Sequence, residues 1–575
     1  MTVNTLVTDI AIVGAGPSGL MLAIELGCRS VPCVLIDNHL TAPANPKANA
    51  TSARTMEHYR RRGFAHLVRS VGLAADHPQD VMYCTRLAGH EIARFRIPSR
   101  AQAASRSDVG DYGDDAWPTP ELPHRAQQMY IEPILRGQAA AQPSVTRRYG
   151  YMADSVEVHE DGVLVQAHEL SGGPTLTVKA RYVVGCDGPR SIVRKAMDTS
   201  YEGASQEQRD FFGGQMLSIH FRSSNLYRQL ADGPLQRPAW QTWIMNRELR
   251  GILVAINGTD EFGIGIQLKA GQTPESVDVD QVFQTLSGGA SLDYRLLGLA
   301  SWTAGYMLVA NQFRRGRLFI AGDAAHLFTP TGGMGYNTSV DDAVNLGWKL
   351  AAVTQGWAPD ALLDSYHEER HPIAKRNTAF ARSMADSIGR IAIPAAVESS
   401  GPEGEPARSA LGEALLQHVR AEFNIPGLQL GVRYASAIVA TEAITPPADE
   451  PNRYIPSAYP GARAPHLETG GTGTSLLDDF GIGFTLLNLG TGDHAAAWST
   501  CAGKLGIPLK VVSRSHEATR GLYGADLVLI RPDHHIAWRG SADTAPQAVL
   551  ELATGRAAEP SALAGAASNT QGATP

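Results

Sequence analysis

The sequence has few of the features that mark secreted, membrane-spanning or metal-binding proteins. It contains only five cysteines in 575 residues, without CxxC spacing, which argues against a disulfide framework and a thiolate zinc site. No apolar run approaches the length of a membrane span, and no lysine or arginine precedes Arg29, so a secretory signal is not predicted. We therefore expect a cytoplasmic protein with reduced thiols.

Strong charge of either sign is also missing. Charged residues make up 19% of the chain and the formal net charge is −7, a profile that gives no support to a nucleic-acid partner. A chain of 575 residues is too long for one hydrophobic core, so two or three domains are expected. These properties favour an ordinary soluble protein of two or three domains.

A glycine fingerprint stands near the start of the chain, between an apolar run and a helical stretch. In it Gly14 makes a tight turn, Gly16 lets the backbone approach a pyrophosphate, and Gly19 lets the helix pack on the strand. Asp37 ends a second predicted strand, where a carboxylate can bind ribose hydroxyls. The pattern predicts a dinucleotide site at a helix N-terminus, and by itself leaves NAD(P) and FAD open.

Two later motifs favour FAD. An apolar strand runs into Gly322 and Asp323, which places a carboxylate at the C-terminal end of a strand, where it can accept a hydrogen bond from a ribityl hydroxyl. Gly332, Gly333 and Gly335 then precede a long helical pattern. Backbone amides there can face the electron-rich edge of a flavin ring, and the helix N-terminus favours the anion of reduced flavin.

Together with a Gly-Cys-Asp-Gly segment in mid-chain, these motifs resemble class A flavoprotein aromatic hydroxylases, the para-hydroxybenzoate hydroxylase superfamily. Within it, the chain is similar to the larger phenol hydroxylase and 2-hydroxybiphenyl monooxygenase type. The resemblance covers most of the chain and rests on residues 14–19, 54–57, 128–133, 185–194 and 322–337.

The resemblance implies an α/β (α+β) fold. A Rossmann-like FAD-binding fold of the GR2 type would carry an inserted antiparallel-sheet substrate domain and a thioredoxin-like C-terminal domain. Only Cys501 lies in that last domain, so disulfide exchange is excluded. We predict an FAD-binding domain from residues 1–75, 109–199 and 305–385, a substrate-binding domain from 76–108 and 200–304, a helical linker at 386–459, the thioredoxin-like domain at 460–552 and a disordered tail at 553–575.

The resemblance also implies an activity. Members of this family bind FAD, take a hydride from NADPH or NADH, react with O2 to form a flavin C4a-hydroperoxide, and hydroxylate an electron-rich phenol. We expect a homodimer that hydroxylates a phenolic or polycyclic aromatic substrate. Two alternatives stay open: Baeyer-Villiger-type oxygen insertion or epoxidation on the same scaffold, and a flavin-binding redox sensor or assembly subunit with little oxygenase activity.

Further cofactor contacts are implied by the family pattern. Arg54 corresponds to an arginine near the FAD phosphates or ribityl chain, and Gln128 to a glutamine near the ribityl or adenosine part. Asp187 and Gly188 belong to a motif linked to both FAD and NAD(P)H. Asn337 closes the glycine motif that lies beside the flavin.

Two residues are implied on the catalytic side. Pro330 matches the family loop beside the flavin, and Asn49 aligns with the position where relatives carry an aspartate or histidine that can deprotonate a phenol. Asparagine cannot act as a general base at neutral pH. It can still hydrogen-bond a substrate hydroxyl, or leave deprotonation to another group or to a substrate that is already acidic. Lys47 replaces the usual arginine and loses its bidentate fork. Pocket candidates by position alone are His220, Trp243 and Tyr306.

Overall fold

The computed structural model describes residues 4–105, 110–111, 117–205, 213–269, 271–289, 291–471, 473–490, 494–514 and 516–557. Its strands, in chain order, are β1 (Asn4–Val13), β2 (Cys33–Asp37), β3 (Val81–Cys84), β4 (Glu91–Phe95), β5 (Val145–Tyr149), β6 (Tyr151–His159), β7 (Gly162–Glu169), β8 (Leu176–Gly185), β9 (Tyr201–Ala204), β10 (Gly214–Arg222), β11 (Gln241–Met245), β12 (Arg250–Ala255), β13 (Glu261–Gln267), β14 (Arg295–Ala304), β15 (Met307–Ala310), β16 (Arg314–Arg315), β17 (Leu318–Ile320), β18 (His326–Leu327), β19 (Phe484–Asn488), β20 (Leu509–Ser513), β21 (Leu527–Ile530) and β22 (Ile536–Gly540).

The α-helices are α1 (Pro17–Gly27), α2 (Ala53–Arg61), α3 (Ala65–Arg69), α4 (Arg100–Ser105), α5 (Gln128–Ala140), α6 (Ile192–Ala196), α7 (Leu226–Asp232), α8 (Val279–Ser287), α9 (Met334–Thr354), α10 (Asp364–Arg390), α11 (Gly404–Phe423), α12 (Pro426–Leu430), α13 (Ala495–Leu505), α14 (Glu517–Tyr523) and α15 (Pro546–Ala553). None of these helices, in the part of the chain that is described, is long and apolar enough to cross a membrane. The described residues also contain no cluster of His, Cys, Asp and Glu side chains suited to a metal ion.

The first sheet has eight strands. Six follow the order β16-β17-β8-β1-β2-β5, and the β6–β7 hairpin joins it through β8. β1 pairs in parallel with β2 and β8, and β8 pairs in parallel with β17. Residues 10–13 of β1 are at most 5% exposed, as expected of a parallel strand covered on both faces. The carboxyl ends of these strands therefore meet at one edge, where α/β sheets bind ligands.

The second sheet has seven strands in the order β14-β10-β13-β12-β11-β3-β4. Its neighbouring strands are antiparallel except for β3 and β11, which run parallel. Two distant stretches of chain thus build one sheet, because β3 and β4 come from the segment before α5. The sheet has its own hydrophobic core, which includes Trp240, Trp243 and Phe262.

The C-terminal module follows the order βαβαββα, from β19 to α15. Its sheet has the strand order β20-β19-β21-β22, with β19 parallel to β20 and antiparallel to β21. Of the tail predicted at 553–575, residues 553–557 end α15 and follow it, and residues 558–575 lie outside the described residues. We retain the predicted domain boundaries as a proposal.

Buried ion pairs join the C-terminal module to the rest of the chain. Arg531 Nη1 lies 2.6 Å from Glu369 Oε1, and Arg531 Nη2 lies 2.6 Å from Asp533 Oδ2. Arg463 Nε donates to Glu57 Oε2 over 2.8 Å. Because these side chains are at most 3% exposed, each charge depends on its partner rather than on water.

Candidate active site

The turn after β1 has the geometry that its glycines predict. Gly14 has a φ of +102°, and a Cβ there would lie 2.2 Å from the carbonyl oxygen of Cys186. A Cβ at Gly19 would lie 1.9 Å from the Gly14 oxygen, so this glycine lets α1 pack against the turn and does not itself line the cavity. No atom lies within 4 Å of a Cβ built on Gly16. The N-terminus of α1 therefore opens into free space beside Gly16.

The next wall of the cavity comes from β2 and α5. Asp37, the last residue of β2, accepts hydrogen bonds from the amides of Ala15 (2.6 Å) and His39 (2.7 Å). Gln128 begins α5 and donates to Glu132 Oε2 over 3.3 Å. Burial raises the pKa of the Glu132 carboxyl. Asp37, Gln128 and Glu132 all line the cavity, on the side reached by the N-terminus of α1.

Asp187 follows β8 and carries an unsatisfied oxygen. Its Oδ2 accepts from the amide of Ile192 over 2.7 Å, whereas its buried Oδ1 has no hydrogen-bond partner among the described residues. Burial raises the pKa of the carboxyl. Gly188, with a φ of +76°, also lines the cavity. An orphaned acceptor in this place calls for a donor that the protein does not provide.

Asp323 reaches the cavity from the turn after β17. Gly322, just before it, has a φ of +61° and donates its amide to Asp342 Oδ2 over 3.1 Å. The Asp323 side chain is open to the cavity but surrounded by protein atoms, and this desolvation raises its pKa. A carboxyl at this point can accept a hydrogen bond from a hydroxyl of a bound ligand.

The glycine loop before α9 closes the same cavity. Gly332 and Gly333 have φ values of +64° and +65°, and Gly333 caps the N-terminus of α9. A Cβ at Gly332 would lie 2.9 Å from the Phe380 ring. Pro330 and Gly335 line the cavity beside them. The left-handed turn therefore brings backbone, rather than side chains, to the wall.

Asn337 lines the cavity but its amide is fully used by the protein. Its Oδ1 accepts from Ser52 N and Thr55 Oγ1, both over 2.8 Å, and its Nδ2 donates to the carbonyl oxygens of Ala50 (2.9 Å) and Gly333 (2.6 Å). The side chain ties α9 to the start of α2. Its predicted contact with the cofactor would therefore be through packing, since no polar atom is free to bind a ligand.

Arg54 is placed differently from the prediction. It does not line the cavity, and its Nη1 donates to Glu57 Oε2 over 2.9 Å while its Nη2 donates to the Asp533 carbonyl over 2.6 Å. The side chain is 4% exposed. Its charge is thus neutralised within the contact between α2 and the C-terminal module, and the geometry does not bring it to FAD.

One cavity of about 1240 Å³ joins all of these walls. A pocket for a single drug-sized ligand spans roughly 300–1,000 Å³, so this one has room for a dinucleotide and a second molecule. The orphaned Asp187 oxygen, the open space at Gly16 and the exposed Asp323 carboxyl are the features that FAD requires. The residues present therefore fit this cofactor.

The far side of the cavity is aromatic. It is lined by Trp243 and Trp302 of the second sheet, by Trp240 just before β11, and by further rings from loops and from the end of α11. The Arg125 guanidinium stacks 3.9 Å above the Trp240 ring. Trp240 and Trp243 are 1% and 2% exposed and so form the buried base of this wall, whereas Trp302 is half-buried. Apolar aromatic walls of this kind favour flat aromatic ligands.

The residues predicted on the substrate side are only partly brought together. Asn49 and Lys47 line the cavity, as do two of the three pocket candidates, Trp243 and Tyr306. His220 instead lines a second cavity, where its Nε2 lies 2.8 Å from Glu261 Oε1. It is a buried paired histidine, away from the first cavity.

A cavity residue that sequence reasoning missed is Glu422, near the end of α11. It is 3% exposed, and its Oε1 accepts from the amide of Gly332 over 2.8 Å. Residues 386–459 carry no motif, and we predicted only a linker there. The i,i+4 spacing from His418 to Glu422 was the one available signal.

Comparison with known proteins identifies the family. The FAD binding domain family matches residues 7–381, and the family described as aromatic-ring hydroxylase, C-terminal, matches residues 457–560. The chain belongs to the FAD-dependent aromatic-ring hydroxylases. This confirms the predicted family, fold class and enzyme class, and FAD as the cofactor, with NAD(P)H and O2 as co-substrates.

Individual relatives agree with the family match. The FAD-dependent monooxygenase apdD of Emericella nidulans is 30% identical over 92% of this chain and 87% of its own length. The structure of RebC with bound 7-carboxy-K252c has a TM-score of 0.85 and 32% identity, covering 96% of this chain and all of that one. Aklavinone-11 hydroxylase with FAD and aklavinone has a TM-score of 0.78 and 26% identity, covering 96% and 99%.

Proposed function

We propose that this protein hydroxylates a phenolic substrate, and more specifically a polycyclic one, with FAD, NADPH or NADH, and O2. The observation that carries the proposal is the single cavity in which glycine loops of a cofactor site face three tryptophans. A planar substrate bound against this wall would share the cavity with a bound flavin. The bound ligands named for RebC and aklavinone-11 hydroxylase support a polycyclic substrate.

Each part of the FAD molecule has a candidate partner in the cavity. When bound, FAD supplies the transfer of electrons from NAD(P)H and the activation of O2. The amides at the start of α1, next to Gly16, would hold the pyrophosphate. Asp37 would bind the adenosine ribose and Asp323 a ribityl hydroxyl. Asp187 would accept a hydrogen bond through its free Oδ1.

The chain's other contribution is to exclude water and orient the substrate. The tryptophan wall and the loop from Pro330 to Gly333 enclose the reacting region, which protects activated oxygen from loss as hydrogen peroxide. Asn49 can hydrogen-bond a substrate hydroxyl but cannot remove its proton. Another group therefore accepts that proton, unless the substrate is acidic enough to be ionised before it binds.

The test is turnover by the purified, FAD-loaded protein. We would measure NADPH and NADH oxidation, O2 uptake and peroxide with phenol, 1-naphthol, juglone and 1,8-dihydroxyanthraquinone, and identify the products by mass spectrometry and NMR. The proposal predicts a product with one added ring hydroxyl, formed with little peroxide. A ring-expanded or epoxide product would favour the alternative oxygenations, and no product from any of the four would refute the proposal.

We further propose a homodimer located in the cytoplasm. Both statements are supported only by the family resemblance and the composition. Size-exclusion chromatography with light scattering would give twice the mass of the chain for a homodimer, and the mass of one chain would refute it.

A further inference from the structure

Glu422 occupies a distinctive place in the cavity, because it touches the loop that would lie beside the flavin. Its Oε1 accepts the Gly332 amide, and its Oε2 lies 2.9 Å from His418 Nε2. Those last two atoms are not aligned for a hydrogen bond, so Oε2 is a buried acceptor with no aligned donor among the described residues. The other ring nitrogen of His418, Nδ1, lies 3.0 Å from Ser387 Oγ.

The surroundings of Glu422 place it on the substrate side. Phe423, the next residue, contacts the Trp240 ring edge to face, with centroids 5.6 Å apart. The buried Tyr83 phenol on β3 also feels this carboxylate: burial, and then the charge of Glu422, raise the pKa of the phenol well above its usual value. Tyr83 in turn contacts Trp243, with centroids 5.6 Å apart. The carboxylate therefore stands between the flavin loop and the tryptophan wall.

We propose that Glu422 is the group that accepts the proton of the substrate hydroxyl, with His418 as the residue that takes the proton onward. The inference rests on the proposed function, since it concerns how the same site activates its substrate. It explains how a site with Asn49 in place of an acidic or basic residue can still produce a phenolate. Glu422 is a catalytic residue in this account, and His418 is a positioning residue.

The proton transfer balances without any redox change. The substrate O–H bond breaks, its electron pair stays on the oxygen as phenolate, and a new O–H bond forms at Glu422 Oε2. His418 Nε2 lies 2.9 Å from Oε2, and a turn of the imidazole ring would bring the two atoms into line. The proton then passes to His418 Nε2, which restores the carboxylate. After oxygen is added, the former phenolate oxygen is a carbonyl. The substituted ring carbon then loses its hydrogen as a proton, the carbonyl oxygen takes up a proton, and the ring becomes aromatic again. The phenolate matters because its ring carbons are more electron-rich and attack activated oxygen faster.

The test compares FAD-loaded wild type with Glu422→Gln, using phenol, 1-naphthol, juglone and 1,8-dihydroxyanthraquinone. Glutamine keeps an oxygen that can accept the Gly332 amide but cannot take a proton. Glu261→Gln is the matched control, because Glu261 is also a buried glutamate paired with a histidine, but it lines the second cavity. Flavin absorbance and thermal unfolding would check that each variant is folded and loaded.

For each probe that the wild type hydroxylates, Glu422→Gln should lower kcat/KM by about 10²–10⁴-fold, the usual range of a general-base effect. NAD(P)H oxidation should continue, with peroxide replacing product. His418→Asn should lower kcat more than it raises KM, and Glu261→Gln should stay near wild type. Hydroxylation by Glu422→Gln at the wild-type rate and coupling would overturn the inference and leave the proposed function standing. A wild type that hydroxylates none of the probes would instead overturn the proposed function.

Discussion

Replacing Glu57 with glutamine tests how the C-terminal module is held to the rest of the chain. Glu57 lies on α2, and its carboxylate receives Arg463 Nε at 2.8 Å, Arg54 Nη1 at 2.9 Å and Thr119 Oγ1 at 2.6 Å. Burial by itself would raise the pKa of this carboxyl. Its partners, led by Arg463, outweigh burial and lower the pKa from 4.5 to about 2.

The size of the effect follows from that shift. Because each pKa unit corresponds to about 1.4 kcal/mol, the ionised carboxylate contributes about 3 kcal/mol of stability at pH 7. The folded pKa is below the unfolded one, so this stability is present above pH 4.5 and is lost as the pH falls towards 2. At pH 3 the contribution should be about 1.4 kcal/mol.

The assay is equilibrium urea unfolding at pH 7, 5 and 3, followed by circular dichroism and tryptophan fluorescence. Glu57→Gln should lower the free energy of unfolding by about 3 kcal/mol at pH 7 and by clearly less at pH 3. The chain has several hydrophobic cores, which can unfold separately. If circular dichroism and fluorescence give different transitions, hydrogen exchange of the β21 amides would give the local free energy of unfolding. Glu405→Gln is the control: its side chain is 82% exposed, so losing its pair with Arg408 should cost under about 1 kcal/mol.

Two results would refute this reasoning. One is a Glu57→Gln variant as stable as the wild type at pH 7. The other is a loss of stability that is the same at pH 3 as at pH 7, because that would mean the ionised carboxylate is not its source.

Three further predictions concern cofactor binding and the module interface. Gly14→Ala should give protein with little or no FAD, because the new Cβ would lie 2.2 Å from the Cys186 oxygen. The control, Gly137→Ala, has no atom within 4 Å of its new Cβ and should stay yellow. Equal flavin absorbance of the two variants would contradict this. Asp187→Ala should weaken FAD binding about tenfold in a fluorescence titration through loss of a buried acceptor, and an unchanged Kd would count against that role. Arg531→Met should lower the free energy of unfolding by about 3–5 kcal/mol, because it leaves buried carboxylates short of a partner; a urea midpoint equal to that of the wild type would disprove this.

The cofactor half of the cavity could be predicted because its signals are local. A positive φ at Gly14 and a carboxylate at the end of β17 are consequences of a few neighbouring residues, and such patterns can be read in sequence. The family motifs then place Asp187 and Gly332 in the same site, and the structure brings both to one cavity.

Residues whose position depends on distant contacts could not be predicted in this way. Arg54 was expected at the cofactor, but its partner is the carbonyl of Asp533, 479 residues further along the chain. Glu422 reaches the cavity only because α11 packs against the second sheet, and its segment carries no motif. The tryptophan wall is formed by β11, β14 and the residues before β11, whose register a sequence cannot fix.

The most direct test of the central claim is the reaction of the FAD-loaded protein with NADPH or NADH under ¹⁸O2, in the presence of 1-naphthol or 1,8-dihydroxyanthraquinone. The account predicts one ¹⁸O atom in a new ring hydroxyl for each NAD(P)H consumed. Product labelled from water, or NAD(P)H oxidation that yields only peroxide with every substrate tried, would contradict it.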